Sequence, residues 1–106
     1  MNSTEILLAA RREARAQKAD RDRRLLALHV TAANILASGD QVAHRRALEQ
    51  VAKWQDRALC SLKYINAWKR ILAMPPEQMR EEMLRDDANG VALRQNTPFG
   101  FMGAPI

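Results

Sequence analysis

The feature that most constrains this fold is a stripe of apolar residues between positions 47 and 72. Its members recur in steps of three and four: Ala47, Val51, Trp54, Ala58, Leu62, Ile65, Trp68 and Leu72. That spacing places side chains on one face of an α-helix, so it predicts one long helix with a packing seam. Because the two tryptophans share this face, we interpret them as core residues rather than as a ligand site.

A second apolar face precedes that helix at residues 25–36, again at helical spacing. It consists of Leu25, Leu28, Ala32, Ala33, Ile35 and Leu36. Gly39 suits a left-handed helix end and Asp40 suits the cap of a following helix. With few β-branched residues and 5% aromatics, the chain favours helix throughout. We therefore predict an all-α fold, with a long antiparallel helical hairpin, a short third helix and an extended C-terminal tail.

The pattern divides the 106 residues into one small core with two appendages. Asn2 and Glu5 have the spacing of a capping box, so a helix should begin there. Residues 1–24 are predicted to form a basic helical arm that continues into the first core helix, and residues 25–90 the helical core. The third helix should begin at Pro76 and end at Asn89-Gly90. Residues 91–106 should leave the core as the extended tail.

The basic arm carries seven of the 17 Lys and Arg residues of the chain. The whole chain has a formal charge of +5 and a pI near 10.1, which suits nucleic acid or an acidic protein. The candidate nucleic-acid-binding residues are Arg11, Arg12, Arg15, Lys18, Arg21, Arg23 and Arg24. Three acids, Glu13, Asp20 and Asp22, interrupt this row, so a solvated helix with local ion pairs explains the same residues.

No pattern in the sequence points to catalysis, to a metal or to a cofactor. His29 and His44 lack neighbours at metal-ligand spacing, and there is no Gly-rich phosphate loop. The single cysteine, Cys60, cannot form an internal disulfide, which favours a cytoplasmic protein. No apolar run approaches membrane-spanning length, so no membrane contact is expected. We predict a protein that is not an enzyme and needs no cofactor.

The C-terminal stretch LRQNTPFGF leaves two alternatives open. Proline and glycine prevent regular helix there, so the phenylalanines have few local partners. Either they fold back over the small core, or they dock into a groove on another protein as anchors. In the second case the partner-binding residues are Leu93, Arg94, Gln95, Thr97, Pro98, Phe99 and Phe101.

The C-terminal half also resembles a family. The tryptophan helix at Trp68 to Leu72, the acidic helix through Leu84 and the terminal LRQNTPF are similar to uncharacterised, antitoxin-like small helical proteins of bacteria. These proteins end in a Leu-Arg-Gln-x-Ser/Thr-Pro-Phe motif. The resemblance implies a small partner-binding protein. Its matching positions are Leu93, Arg94, Gln95, Thr97, Pro98 and Phe99.

These observations predict a non-enzymatic helical binding protein that blocks a partner protein through its tail and its basic arm. The alternative is a nucleic-acid-binding or phage-type regulatory protein, including an inhibitor of a host defence complex. Phosphate contacts weaken steeply with salt and apolar contacts do not, so salt dependence separates the two. The apolar seam could also pair between two chains, which would make a homodimer.

Overall fold

A computed structural model describes residues 2–102 of the chain, and this stretch is helical with no strand. Its elements are α1 (Ser3–Ala37), α2 (Gln41–Arg57), α3 (Leu62–Leu72), α4 (Pro76–Met83), α5 (Ala88–Gln95) and a 3-10 turn (Gly100–Met102). The predicted all-α fold is confirmed. None of the helices within residues 2–102 has the length and apolar character needed to cross a bilayer.

Helix α1 begins and ends where the local sequence predicts. The Glu5 amide donates to Asn2 Oδ1 at 2.9 Å, and Asn2 N donates to Glu5 Oε2 at 3.4 Å, which completes the capping box. After the helix, Gly39 takes a φ of +86°. Asp40 Oδ1 then accepts from the amides of Val42 and Ala43, both at 3.0 Å, and so caps α2. The predicted stop and restart at this turn are confirmed.

The two halves of α1 differ in their surroundings. None of residues 3–24 is buried, whereas the later half buries Leu28, His29, Ala32, Ala33 and Leu36. That later half packs mainly against α4 and α5, while α2 packs mainly against α3. The molecule measures 56 × 29 × 23 Å, and a straight helix of this length is about 52 Å long. The basic arm therefore stands out from the body.

The stripe that predicts one long second helix is interrupted in the structure. Helix α2 ends at Arg57, and Ala58 after it adopts the left-handed conformation with φ 51° and ψ 43°. Helix α3 then starts at Leu62. Leu62, a member of the stripe, is 64% exposed. An unbroken helix would hold Trp54 and Trp68 about 21 Å apart, too far for one small core. The break lets α3 fold against α2, and the prediction of a continuous helix is wrong here.

The C-terminal tail also departs from the predicted extended form. Asp87 Oδ1 accepts from the Gly90 amide at 2.7 Å and starts α5, so Asn89-Gly90 lies inside a helix instead of ending one. Phe99 has no exposed surface and belongs to the core. The core thus extends past residue 90, since Leu93 and Phe99 both belong to it. The end of the predicted tail, 103–106, lies outside the described residues.

We expect Ala58→Gly to raise the free energy of unfolding by about 0.5–1 kcal/mol. The left-handed conformation costs alanine about 1–2 kcal/mol, and the greater freedom of glycine in the unfolded chain offsets about 0.4–1 kcal/mol of the gain. Urea unfolding followed by circular dichroism measures the change. Ala52→Gly, within α2, is the control and should lower stability by about 0.5–1 kcal/mol. A loss of stability in both variants would contradict the left-handed break.

Candidate functional site

The C-terminal motif is held in the body by three aromatic rings. The Phe99 ring meets the Trp68 ring edge-on, with centroids 5.7 Å apart, and meets the His29 ring edge-on at 5.8 Å. His29 stacks on Trp68 at 5.9 Å. Both Trp68 and Phe99 are completely buried. Trp68 Nε1 also donates to the carbonyl of Asn96 at 2.7 Å, so the ring is paired as well as packed.

Both ring nitrogens of His29 are used within the protein. Nδ1 lies 2.7 Å from the Leu25 carbonyl, which can only accept, so Nδ1 carries the proton. Nε2 then accepts from Thr97 Oγ1 at 2.8 Å, and Thr97 Oγ1 in turn accepts from the Phe99 amide at 3.1 Å. Burial lowers the pKa of His29 to about 4, which keeps the ring neutral. The histidine therefore fastens the C-terminal tail to α1.

Arg94 is buried at the end of α4 rather than presented to a partner. Its Nη1 atom donates to the carbonyl of Met83 at 3.1 Å and to that of Arg85 at 2.9 Å. A helix end leaves its last carbonyls without partners inside the helix. The guanidinium supplies one such donor to Met83 and a second one to Arg85 in the turn that follows, and so ties α5 to α4.

The predicted partner anchor lies mostly inside the folded chain. The side chains of Leu93, Arg94, Pro98 and Phe99 lie in the interior, where no partner can reach them. The others are in part accessible but engaged within the chain: Gln95 donates to Asp22 at 3.2 Å, Thr97 binds His29, and Phe101 lies under the Arg46 guanidinium, 4.3 Å from the ring centroid. The motif folds back over the core, which is the first of the two alternatives.

Most cations of the basic arm are not paired with a neighbouring acid within the described part of the chain. Asp20 pairs with Arg24 at 2.7 Å and with Arg23 at 3.3 Å, and Glu13 accepts from Gln17 at 3.5 Å. The other cations of the arm have no carboxylate within ion-pair distance among residues 2–102. These are Arg11, Arg12, Arg15, Lys18 and Arg21. The local ion pairs anticipated from the sequence thus account for only two of the seven.

Three of these free cations share one face of α1. Arg11, Arg15 and Lys18 follow one another in steps of four and three, so they form a row about 10 Å long. The next acid on that face is Asp22, which already accepts from Gln95. Beyond the row, the arm ends in apolar side chains that are exposed to 57%, 53% and 42%: Ile6, Leu7 and Leu8.

The other titratable side chains of special interest are structural. His44 Nε2 lies 2.6 Å from the Leu72 carbonyl and joins α2 to the end of α3. Cys60 is half-buried beside the core. Within residues 2–102, no group of three or more His, Cys, Asp or Glu side chains is placed to hold a metal ion. Compared with these side chains, the basic arm is the stronger candidate for a binding surface.

No protein-family model, curated protein or solved structure matches this chain. The resemblance of the C-terminal half to antitoxin-like proteins stays a prediction.

Proposed function

We propose that this chain is a non-enzymatic helical binding protein that acts in the manner of an antitoxin, by occluding a partner protein. The basic arm is its contact surface. The observation that carries this proposal is the set of five arm cations that have no carboxylate partner among residues 2–102. The tail acts indirectly, by holding the part of α1 from which the arm extends. Thr97 bonds to His29, and Gln95 donates to Asp22.

The exposed apolar tip, together with the cations that follow it, favours a protein partner with an acidic surface. Ile6 and Leu7 are more than half exposed, and burying the exposed part of such a side chain contributes about 1 kcal/mol. Interfaces between proteins often combine an apolar centre with arginine. Most of the stability of a helix in a protein comes from tertiary packing, and residues 3–24 of α1 have no buried side chain. A partner that covers the arm would therefore stabilise it as well as bind it.

Nucleic acid is the second candidate, and one observation favours it. The row formed by Arg11, Arg15 and Lys18 presents only positive charge along one face, as a contact to successive phosphates requires. Such a protein would act as a nucleic-acid-binding regulator, including one of the phage type. The row alone provides no readout of base sequence.

We expect Arg11→Gln with Arg15→Gln to weaken partner binding about tenfold or more, because each lost charged contact is worth about 1 kcal/mol. Stability should change by less than about 0.5 kcal/mol, since both side chains are exposed. Arg23→Gln with Arg24→Gln is the matched control, because it removes the same charge from residues already paired with Asp20. Retention of the partner from nuclease-treated cell extract, followed by titration with the purified partner, measures the effect.

The two candidates give different results in this comparison. A protein partner survives nuclease treatment and is lost on the arm variant but not on the control. If nucleic acid is the partner, anisotropy of a labelled 20-base-pair duplex should show that the arm variant lowers the salt slope by about two. Equal binding by the arm variant and the control would contradict both candidates.

A further inference from the structure

A groove of about 270 Å³ lies between α3 and the turn that joins α4 to α5, and none of the described arm residues, 2–24, lines it. Its floor is apolar and partly aromatic. The floor consists of Tyr64, Ala67, Ile71, Ala92 and Leu93. The α3 members of the floor recur in steps of three and four, so they follow one edge of that helix over about two turns.

The rim of this groove is positively charged. Lys63 and Arg70 stand on the α3 side, and Arg85 stands on the opposite side. Arg85 is already neutralised by Asp87 at 2.6 Å and Glu82 at 3.5 Å, and Glu82 is the one acid among the lining residues. Lys63 and Arg70, in contrast, have no carboxylate within ion-pair distance among residues 2–102. The groove therefore places two free cations above an apolar floor.

The wall opposite α3 is held in place before any ligand binds. A Cβ atom on Gly90 would lie 2.1 Å from the Arg85 carbonyl oxygen, so α5 packs directly on the backbone of the turn. Arg94 donates to that same carbonyl, and the Gly90 amide donates to Asp87. A fixed wall lowers the entropy that a ligand must lose on binding.

We infer that this groove is a binding site for a small organic anion, that is, a carboxylate or phosphate ester on a flat apolar body. The apolar body of the ligand lies on the floor beside Tyr64, and Lys63 and Arg70 bind its anionic group. The Lys63 ammonium lies 5.6 Å from the Tyr64 ring centroid, so charge and ring are adjacent. The volume is close to the lower end of the range of small-molecule sites, about 300 Å³.

Titration of the ¹⁵N-labelled full chain with four probes tests this site by amide chemical shifts. The probes are phenyl phosphate, benzoate, inorganic phosphate and benzyl alcohol. We expect saturable shifts at residues 63–71 and 85–93 with one or both of the first two. The tighter of these identifies the anionic group, phosphate ester or carboxylate. Inorganic phosphate and benzyl alcohol should each bind at least about tenfold more weakly, since each lacks one half of the recognition.

Two double variants distinguish the groove from general attraction to a basic protein. Lys63→Gln with Arg70→Gln should raise the Kd of the tighter probe about tenfold or more. Lys53→Gln with Arg57→Gln removes equal charge from exposed positions of α2 and should leave that Kd within about twofold. Shifts that do not saturate, that centre on the basic arm, or that weaken equally in both variants would overturn the site. The arm variants leave this groove intact, so its failure is separate from failure of the proposed function.

Discussion

Phe99→Ala is expected to lower the free energy of unfolding by about 3–5 kcal/mol, the range typical of a buried phenylalanine. The ring has no exposed surface, and it meets the rings of both Trp68 and His29. Its removal would leave a cavity where the tail joins the body. It would also loosen the loop in which Thr97 binds His29 and the Phe99 amide. Urea unfolding followed by circular dichroism and by tryptophan fluorescence measures the loss.

Leu62→Ala is the control for this experiment, because Leu62 is 64% exposed at the start of α3. The free energy of unfolding of the Leu62→Ala variant should change by less than about 0.5 kcal/mol. The same Phe99 variant also tests the partner-anchor hypothesis for LRQNTPFGF. At a temperature where the variant is still folded, it should keep its affinity for a partner of the arm. An unchanged stability together with lost binding would restore the hypothesis that this motif is a surface anchor.

The parts of the fold that the sequence predicts correctly are those fixed by local chemistry. Asn2 and Glu5 cap α1 through atoms three residues apart, and Asp40 caps α2 in the same local way. Pro76 begins α4, where a proline costs no helical hydrogen bond. Each of these signals acts within one turn of helix, so neither packing nor long-range contacts can easily override it.

The helix break at Ala58 could not be predicted from local chemistry. Nothing in alanine favours the left-handed conformation, and the apolar spacing continues across it without a change. The conformation persists because packing Ile65 and Trp68 into the core stabilises the fold by more than the left-handed backbone of Ala58 costs. Such a balance depends on the positions of all the helices, and no short window of sequence contains it.

The candidate sites were predictable to different degrees. The row of arm cations is visible in the sequence, but which of them remain unpaired depends on the side-chain geometry around Asp20. His29 lies on the apolar face that includes Leu25 and Ala32, so its burial could have been predicted from the helical spacing. Its bond to Thr97 could not, because the two residues are 68 positions apart. The groove beside Tyr64 likewise requires the mutual placement of α3 and α5.

His29 should make the stability of this protein fall as the solution becomes acidic. The pKa of His29 is about 4 in the folded protein, against an ordinary value of 6.5, because burial disfavours the charged ring and the nearby Arg94 charge opposes protonation further. Between pH 6.5 and pH 4 the His29 ring becomes protonated in the unfolded chain but stays neutral in the folded protein. The stabilisation is therefore complete above pH 6.5, decreases through the interval and levels off below about pH 4. The total loss is about 3 kcal/mol.

The measurement must separate this histidine from the carboxylates, which also titrate in acid. We therefore compare the free energy of unfolding from pH 7.5 to pH 3.5 in the wild type and in His29→Gln. The variant should be less stable at pH 7.5, since it loses the stacked ring, but the gap should narrow as the pH falls. Proton NMR of the His29 ring should give a midpoint near 4 in the folded protein. A midpoint near 6.5, or a gap that stays constant with pH, would contradict the buried neutral histidine that fastens the tail to α1.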